Sequence, residues 1–266
     1  MASRLISNPF DRPETSRTPR RCVFLSVEGN NTEADYFTCL NEFLNGYADS
    51  FDKTPILEVH VLERGQDDGH SSPQGVVELM EECLSLREVS EDGDLFAVVL
   101  DCDYPHPNDA DDVRRKRTQL ENAERDCESE NILFYLTNPC FEFWLLLHLR
   151  DVKNAYSVEK LEAFRENRKF NNRHTAISKE VSDIIGINCK KKKLSAVFAR
   201  DFWPNIPAAM RRSQDFSTAF PEIYDNLGTN LADLMERIGF PLPPLESVRD
   251  GRGRAGQKRD ITRNRL

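Results

Sequence analysis

The sequence predicts an α/β protein: a mostly parallel sheet flanked by helices, followed by a C-terminal helical region. Three observations predict it. Residues 22–149 alternate short apolar runs with amphipathic stretches, as strands joined by crossover helices do. The runs at 22–27 and 95–100 are almost continuously apolar, as strands buried on both faces are. Beyond about residue 151 the strand signal stops and helical periodicity takes over.

Each element has its own local reason. Residues 22–27 form the first strand, and Glu28-Gly29-Asn30-Asn31 turns the chain. Thr32 is a suitable N-cap, and Tyr36, Phe37, Leu40, Phe43 and Leu44 then share one helical face. Leu57, Val59 and Val61 alternate within 56–62, a second strand. A polar loop over 64–72 leads to a helix over 74–86 with Val76, Val77, Met80, Cys83 and Leu84 inward. The strand at 95–100 ends at Asp101-Cys102-Asp103-Tyr104-Pro105, and the charged stretch 109–130 reads as a solvent-facing helix. Residues 132–136 form the next strand. Asn138 then caps a helix over 140–149 with Pro139 at its first position, where a missing N–H costs nothing. That helix is apolar almost all round and must be buried. Further helices are expected at 158–167, 176–185, 194–202 and 227–238, with Pro241, Pro243 and Pro244 ending the region.

Composition bounds the function. The 266 residues are 39% hydrophobic and 30% charged, which argues against wholesale disorder. No apolar run approaches the roughly 20 residues of a membrane span, and the first residues lack an apolar signal core. The seven cysteines are scattered with no C-x-x-C pair, so free thiols in a reducing, cytoplasmic setting are expected. The net charge is −9, but residues 1–21 carry +3 and residues 249–266 carry +5. The expected organisation is a basic arm (1–21), an α/β domain (22–150), a helical region packed on it (151–244) and a basic tail (245–266). Such arms either touch phosphates or simply solubilise the ends.

The acidic residues carry the chemistry. Glu28 follows the first strand, and Asp101 and Asp103 follow the strongest one. Ligands bind at this edge of an open α/β sheet. Period-2 geometry sets Asp101 and Asp103 on one face, with Cys102 facing away. If the two strands are neighbours, three carboxylates converge and repel unless a cation joins them. Hard oxygen donors suit Mg²⁺ or Mn²⁺, which would hold a phosphodiester oxygen and acidify a water. Turn and helix-cap duty is the competing account of the two aspartates.

The order strand–Glu–Gly–helix, then strand–Asp–x–Asp, resembles the Toprim domain of topoisomerases, primases and OLD-type nucleases. A narrower resemblance exists. The segment from Val27 to Phe37 (V-E-G-N-N-T-E-A-D-Y-F) is similar to the E-G-x-x-T-E-x-x-Y-F opening of the RloB-like family. The segment from Asn138 to His148 (N-P-C-F-E-F-W-L-L-L-H) is similar to its N-P-C-F-E-x-W-L-L-L-H signature, and 228–235 resembles its closing helix. The resemblance covers about 22–240. It implies a Toprim-type, metal-dependent nuclease from a phage-defence locus, with an ATPase partner and a nucleic-acid substrate, RNA such as tRNA or DNA. Association into a homo-oligomer stays open.

By that resemblance Glu28, Asp101 and Asp103 are metal carboxylates, with Gly29 and Glu33 beside the cation. Gly29 permits a sharp turn and close approach; Glu33 either supports the ligands or favours the helix dipole. Glu142 lies within a buried helix and needs a partner. It is either a further catalytic or metal carboxylate, or it pairs with His148 or an arginine of the helical region. His148 is either a core histidine or a general base. Tyr36 and Tyr104 are more simply packing and turn residues than nucleophiles. Lys190, Lys191, Lys192, Lys193, Arg173 and His174, interleaved with Phe170, Phe198, Phe202 and Trp203, suit a single-stranded or looped nucleic acid. The alternative is an aromatic core under a solvated basic face. Two rival functions remain: a non-catalytic nucleotide- or partner-binding module using the same site, and a small-nucleotide phosphohydrolase. The second needs a nucleophilic Asp with Thr and Lys partners, which the sequence does not offer.

Overall fold

The computed structural model describes residues 21–29, 31–48, 57–62, 72–86, 94–104, 109–169, 174–190 and 194–240. A five-stranded sheet in the order β2-β1-β3-β4-β5 lies at its centre. Strands β1 (Arg21–Val27), β2 (Leu57–Val61), β3 (Leu95–Asp101) and β4 (Leu133–Asn138) are parallel. β5 (Gly228–Thr229) pairs antiparallel with β4. The expected class, an α/β protein with a mostly parallel sheet, is what the chain forms.

Both faces of the sheet are covered. Along β3, Ala97 and Val99 enter one core, while Phe96, Val98 and Leu100 enter the other. Helices α2 (Pro73–Ser85) and α3 (Ala110–Ser129) supply the second core through Val76, Val77, Met80, Leu120, Ala123 and Cys127. Helices α1 (Thr32–Ala48) and α4 (Glu142–Leu149) cover the first face. Outside α4 lie α5 (Val152–Ala155), α6 (Val158–Glu166), α7 (Ala176–Ile185), α8 (Ser195–Val197), α9 (Ile206–Ser213) and α11 (Leu231–Arg237), whereas α10 (Glu222–Asp225) joins the second core through Ile223 and Tyr224, beside α3. One core runs from β1 and β3 through α4 into α7, α9 and α11. Each fully buried Leu or Phe there stabilises the fold by roughly 1.5–3 kcal/mol relative to exposure.

Several elements differ from the sequence expectation. Asn138 does not cap α4, and Pro139 is not its first residue; the helix starts at Glu142 with Phe141 at the cap. The Asn138 amide instead donates to the carbonyls of Ile223 and Tyr224, at 2.8 and 3.0 Å. Buried carbonyls need donors, and those of α10 find theirs here. Thr32 is the first residue of α1 rather than a cap, and its hydroxyl donates to the Cys189 carbonyl at 3.4 Å.

The helix expected at 194–202 gives way after Val197 to a π-turn at Phe198–Phe202 and a 3₁₀ turn at Trp203–Asn205. Pro204 removes an amide donor there. The wider turn brings Phe198, Phe202 and Trp203 into the core. Helices α9 and α10 had no clear sequence signal. Strand structure also returns after residue 151. Gly228–Thr229 forms β5 where a continuous helix was expected. Asn230 extends that pairing with its side chain, accepting from Leu136 N–H at 2.8 Å and donating to Phe134 C=O at 3.1 Å. Among the described residues no helix is long and apolar enough to cross a membrane.

Candidate metal centre

The sheet order makes β1 and β3 neighbours, although the chain visits β2 between them. That reversal makes the carboxyl ends of β1 and β3 the topological switch point of the sheet, where open α/β sheets have the crevice that binds ligands. Val27 lies opposite Val99. Glu28 and Asp101 therefore leave the sheet side by side. The Glu28 N–H donates to the Val99 carbonyl at 3.0 Å, and the Asp101 N–H donates to Glu28 Oε2 at 3.0 Å.

Past Asp101 the chain stops being an extended strand. Cys102 and Asp103 donate their amides to the carbonyls of Thr137 and Pro139, at 2.9 and 2.7 Å. Asp103 takes a positive φ of 22°, a conformation that Asp tolerates better than most residues. Cys102 is fully buried in the opposite core, as its alternation requires. Asp103 stands exposed at the rim.

Two helices aim their first turns at the same crevice. Glu33 lies in the first turn of α1 and Glu142 is the first residue of α4. Helix N-termini favour negative charge. Only 9% of Glu33 and 5% of Glu142 is exposed. The Glu33 carboxylate lies over Gly29, where any Cβ would overlap it. Gly29 is thus needed for the close approach of a neighbouring side chain.

Five carboxylates therefore share one electrostatic neighbourhood. Burial pushes Asp101 well above the usual carboxylate range, and Glu33, Glu28, Glu142 and Asp103 push it further. Burial and the Glu142 charge raise Glu33 to about 8. Asp103 keeps part of its side chain in water, yet burial of its carboxylate raises it, with Glu142 adding to the effect and Lys116 and Lys190 pulling it back. The cause is crowding of like charge away from water.

Two ammonium groups stand against this cluster. Lys116 Nζ, from α3, lies 3.1 Å from Glu28 Oε1, with both side chains largely buried. Lys190, beyond α7, lies 3.7 Å from Glu142 Oε1. Burial lowers the Lys190 pKa, but Glu142, Cys140 and Asp103 more than offset that and raise it. The partner of Glu142 is therefore Lys190, and not His148 or an arginine. Among the described residues, no three His, Cys, Asp or Glu side chains stand in an arrangement that could hold a metal ion. Glu28 is turned onto Lys116 and the Asp101 amide, and the ammonium groups fill the cationic role. The donors are carboxylate oxygens, the type that a hard divalent cation takes, but they are not arranged around a common point.

Other expected site residues lie elsewhere. His148 is in the core: its Nδ1 sits 2.8 Å from the Trp144 carbonyl, and its Nε2 3.2 Å from the Tyr36 hydroxyl. Burial lowers its pKa to about 3. Tyr36 is fully buried and accepts from the Trp144 indole at 3.1 Å, and Tyr104 donates to the Tyr224 carbonyl at 2.8 Å. Phe198, Phe202 and Trp203 are core residues, so they offer no stacking platform for bases. Arg212 donates to the Leu147 and His148 carbonyls at the end of α4, at 2.6 and 3.0 Å. Arg173, Lys191, Lys192, Lys193 and Phe170 lie outside the described residues. His174 precedes the capping residue Thr175 of α7 and is partly buried.

Lys116 is the site residue that sequence reasoning missed. A signal existed: Lys116, Leu120, Ala123 and Cys127 follow a 4-3-4 spacing, and the last three are the buried stripe of α3. A lysine on an apolar stripe points inward and needs an acidic partner.

No curated protein and no solved structure matches the chain. The family model described as RloB-like protein matches residues 23–238. That span includes β1 from its third residue, and all of α1, β3, α3 and α4, and with them Glu28, Glu33, Asp101, Asp103, Lys116 and Glu142. The chain belongs to the RloB-like family.

Proposed function

We propose that this protein is a Mg²⁺- or Mn²⁺-dependent nuclease that hydrolyses phosphodiester bonds of RNA, with tRNA the first candidate, or of DNA. The observation that supports this reading is the like charge of Glu33, Glu28, Glu142 and Asp103 bearing on the buried Asp101 beside the β1/β3 switch point. Crowded, partly buried carboxylates cost stability, and a cation relieves that cost. In this reading Glu28, Asp101 and Asp103 hold the metal. Glu33 and Glu142 set the charge around it, each fixed at a helix start. When bound, the metal would supply Lewis acidity to a phosphate oxygen and an acidified water. The setting that the family resemblance implies, phage defence beside an ATPase, belongs to the proposal as well.

A second reading is a non-catalytic module that binds a nucleotide or a protein partner at the same place. The engagement of Glu28 and Glu142 by lysines favours it, because such pairs neutralise the site without a metal. The deciding experiment is cleavage of plasmid, single-stranded DNA and total tRNA with Mn²⁺, Mg²⁺ or EDTA. Wild type is compared with an Asp101→Ala/Asp103→Ala double variant. Metal-dependent cutting that the variant loses supports the nuclease and names its substrate. Retained cutting in the variant rejects these carboxylates. No cutting, even with the ATPase added, while metal still binds, favours the module.

A further inference from the structure

We infer that Arg117 and Tyr224 are positioning residues of the switch point: through the Tyr224 carbonyl, α3 sets the placement of the two loops that follow β3 and β4. The inference concerns what holds those loops. It stands whether the site hydrolyses a phosphodiester or only binds a partner.

One peptide group is the starting point. The Tyr224 carbonyl accepts from the Tyr104 hydroxyl at 2.8 Å and from the Asn138 side-chain amide at 3.0 Å. Both lone pairs of that oxygen are thus used, one by the loop after β3 and one by the end of β4. The two loops also meet each other. Cys102 N–H donates to Thr137 C=O at 2.9 Å, and Asp103 N–H to Pro139 C=O at 2.7 Å. Between these contacts Asp103 takes its positive φ of 22°, a backbone conformation that persists where the surroundings hold it.

Helix α3 fixes that peptide group from outside. The Tyr224 hydroxyl donates to Glu124 Oε2 at 2.5 Å, and the Arg117 guanidinium lies 5.3 Å from the centroid of the Tyr224 ring. The same guanidinium donates to Asp225 Oδ1 at 2.6 Å and to Glu121 Oε1 at 2.8 Å. Arg117 therefore grips both residues that flank the Tyr224–Asp225 peptide. An exposed ion pair alone would hold little, but a planar guanidinium that stacks and pairs at once is restrained in orientation. Ile223 and Tyr224 are buried in the second core, which seats α10 against the sheet. The preceding residue of α3, Lys116, reaches Glu28 at 3.1 Å. Consecutive positions of one helix thus act on the ends of β1, β3 and β4.

The test is amide hydrogen exchange, read residue by residue in the full chain without metal or nucleic acid. Arg117→Met should speed exchange at the Cys102 and Asp103 amides by on the order of tenfold, although Arg117 is bonded to neither. The Leu62 amide, which donates to Leu25 C=O at the far side of β1, should keep its wild-type rate. In a Tyr104→Phe background, which removes one donor to the Tyr224 carbonyl, Arg117→Met should have a smaller effect than alone. If Arg117→Met does not fold, Asp225→Asn breaks the same pair from its more exposed side. Unchanged rates at Cys102 and Asp103, or equal acceleration at Leu62, overturn the positioning role. An undiminished effect in Tyr104→Phe overturns the route through the carbonyl. No metal, strand or turnover enters the measurement, so its outcome is separate from that of the cleavage experiment.

Discussion

The two ends of α4 bury polar groups in opposite ways. At its start, Glu142 is 5% exposed among four other carboxylates. In its last turn, His148 is 1% exposed among aromatic rings. The histidine end closes on itself. The Trp144 carbonyl only accepts, so His148 Nδ1 carries the proton and donates to it. Nε2 then accepts from the Tyr36 hydroxyl, which accepts from the Trp144 indole N–H. Every polar atom of that ring is satisfied while all three residues stay neutral. The carboxylate end has no such closure, because its groups share one sign and rely on lysines, Lys116 and Lys190 among them, to answer them. Satisfied burial marks a structural device; unsatisfied like charge marks a place prepared for something else.

The contrast can be broken at either end. The largest effect is expected at the acidic end. Asp101→Asn with Asp103→Asn should lower metal affinity by more than about a hundredfold, beyond the loss seen for residues that only support ligands. The metal-free fold should melt no lower than wild type, since two of the crowded charges are gone. Titration calorimetry with Mn²⁺ and a thermal melt check both. A large drop in melting temperature would mean that the aspartates are structural.

At the aromatic end the expected effects reverse. Trp144→Ala should cost about 3–5 kcal/mol of stability, as loss of a buried large ring does. Tyr36→Phe, which strands the Trp144 indole and His148 Nε2, should cost roughly 1–3 kcal/mol. Urea unfolding measures both, and Mn²⁺ affinity should stay within a few-fold of wild type for Tyr36→Phe. A lost metal site in that variant would show that the two ends are not separate.

The pH response sharpens the same comparison. His148 is held near 3 by burial, with Arg212 adding to the effect, against 6.5 for an ordinary histidine. A protonated ring would set two donors, Nε2–H and the tyrosine O–H, against each other. The stabilising contribution of the neutral ring is therefore fully present above about 6.5 and is lost as pH falls toward about 3. Each pH unit in that window costs up to about 1.4 kcal/mol. His148→Gln should flatten the acid limb of a stability-against-pH curve; an unchanged limb would reject the assignment.

The smallest effect is expected at Gly29→Ala. The new methyl meets only the mobile end of Glu33, so stability should change by less than about 1 kcal/mol. Mn²⁺ affinity should nonetheless shift several-fold as Glu33 is pushed out of the cluster. Equal affinity in the variant would mean that Glu33 has no part in the site.

Much of this molecule is written locally. The apolar runs of β1 and β3, the stripe of α2 and the α/β class follow from period-2 and period-3.6 patterns that any neighbouring residues reveal. So does the position of Glu28, Asp101 and Asp103 at strand ends. At Asn138, Thr32 and the π-turn at Phe198–Phe202, local capping and periodicity rules give way to tertiary demands. The Asn138 amide serves carbonyls far away in the chain, and core packing overrides regular helix around Trp203.

What the sequence determined by itself is the strand–helix alternation, the carboxylates at the sheet edge and the family motifs. Tertiary structure alone decided which strands are neighbours, that Glu33 and Glu142 join the cluster, and that Lys116 and Lys190 answer it. It also decided that Gly228–Asn230 completes the sheet. The physical reason is separation along the chain. Lys116 meets Glu28 across 88 positions and Asn230 meets Leu136 across 94. No local periodicity encodes such pairs. Only the folded sheet, by fixing the order of its strands, brings them together.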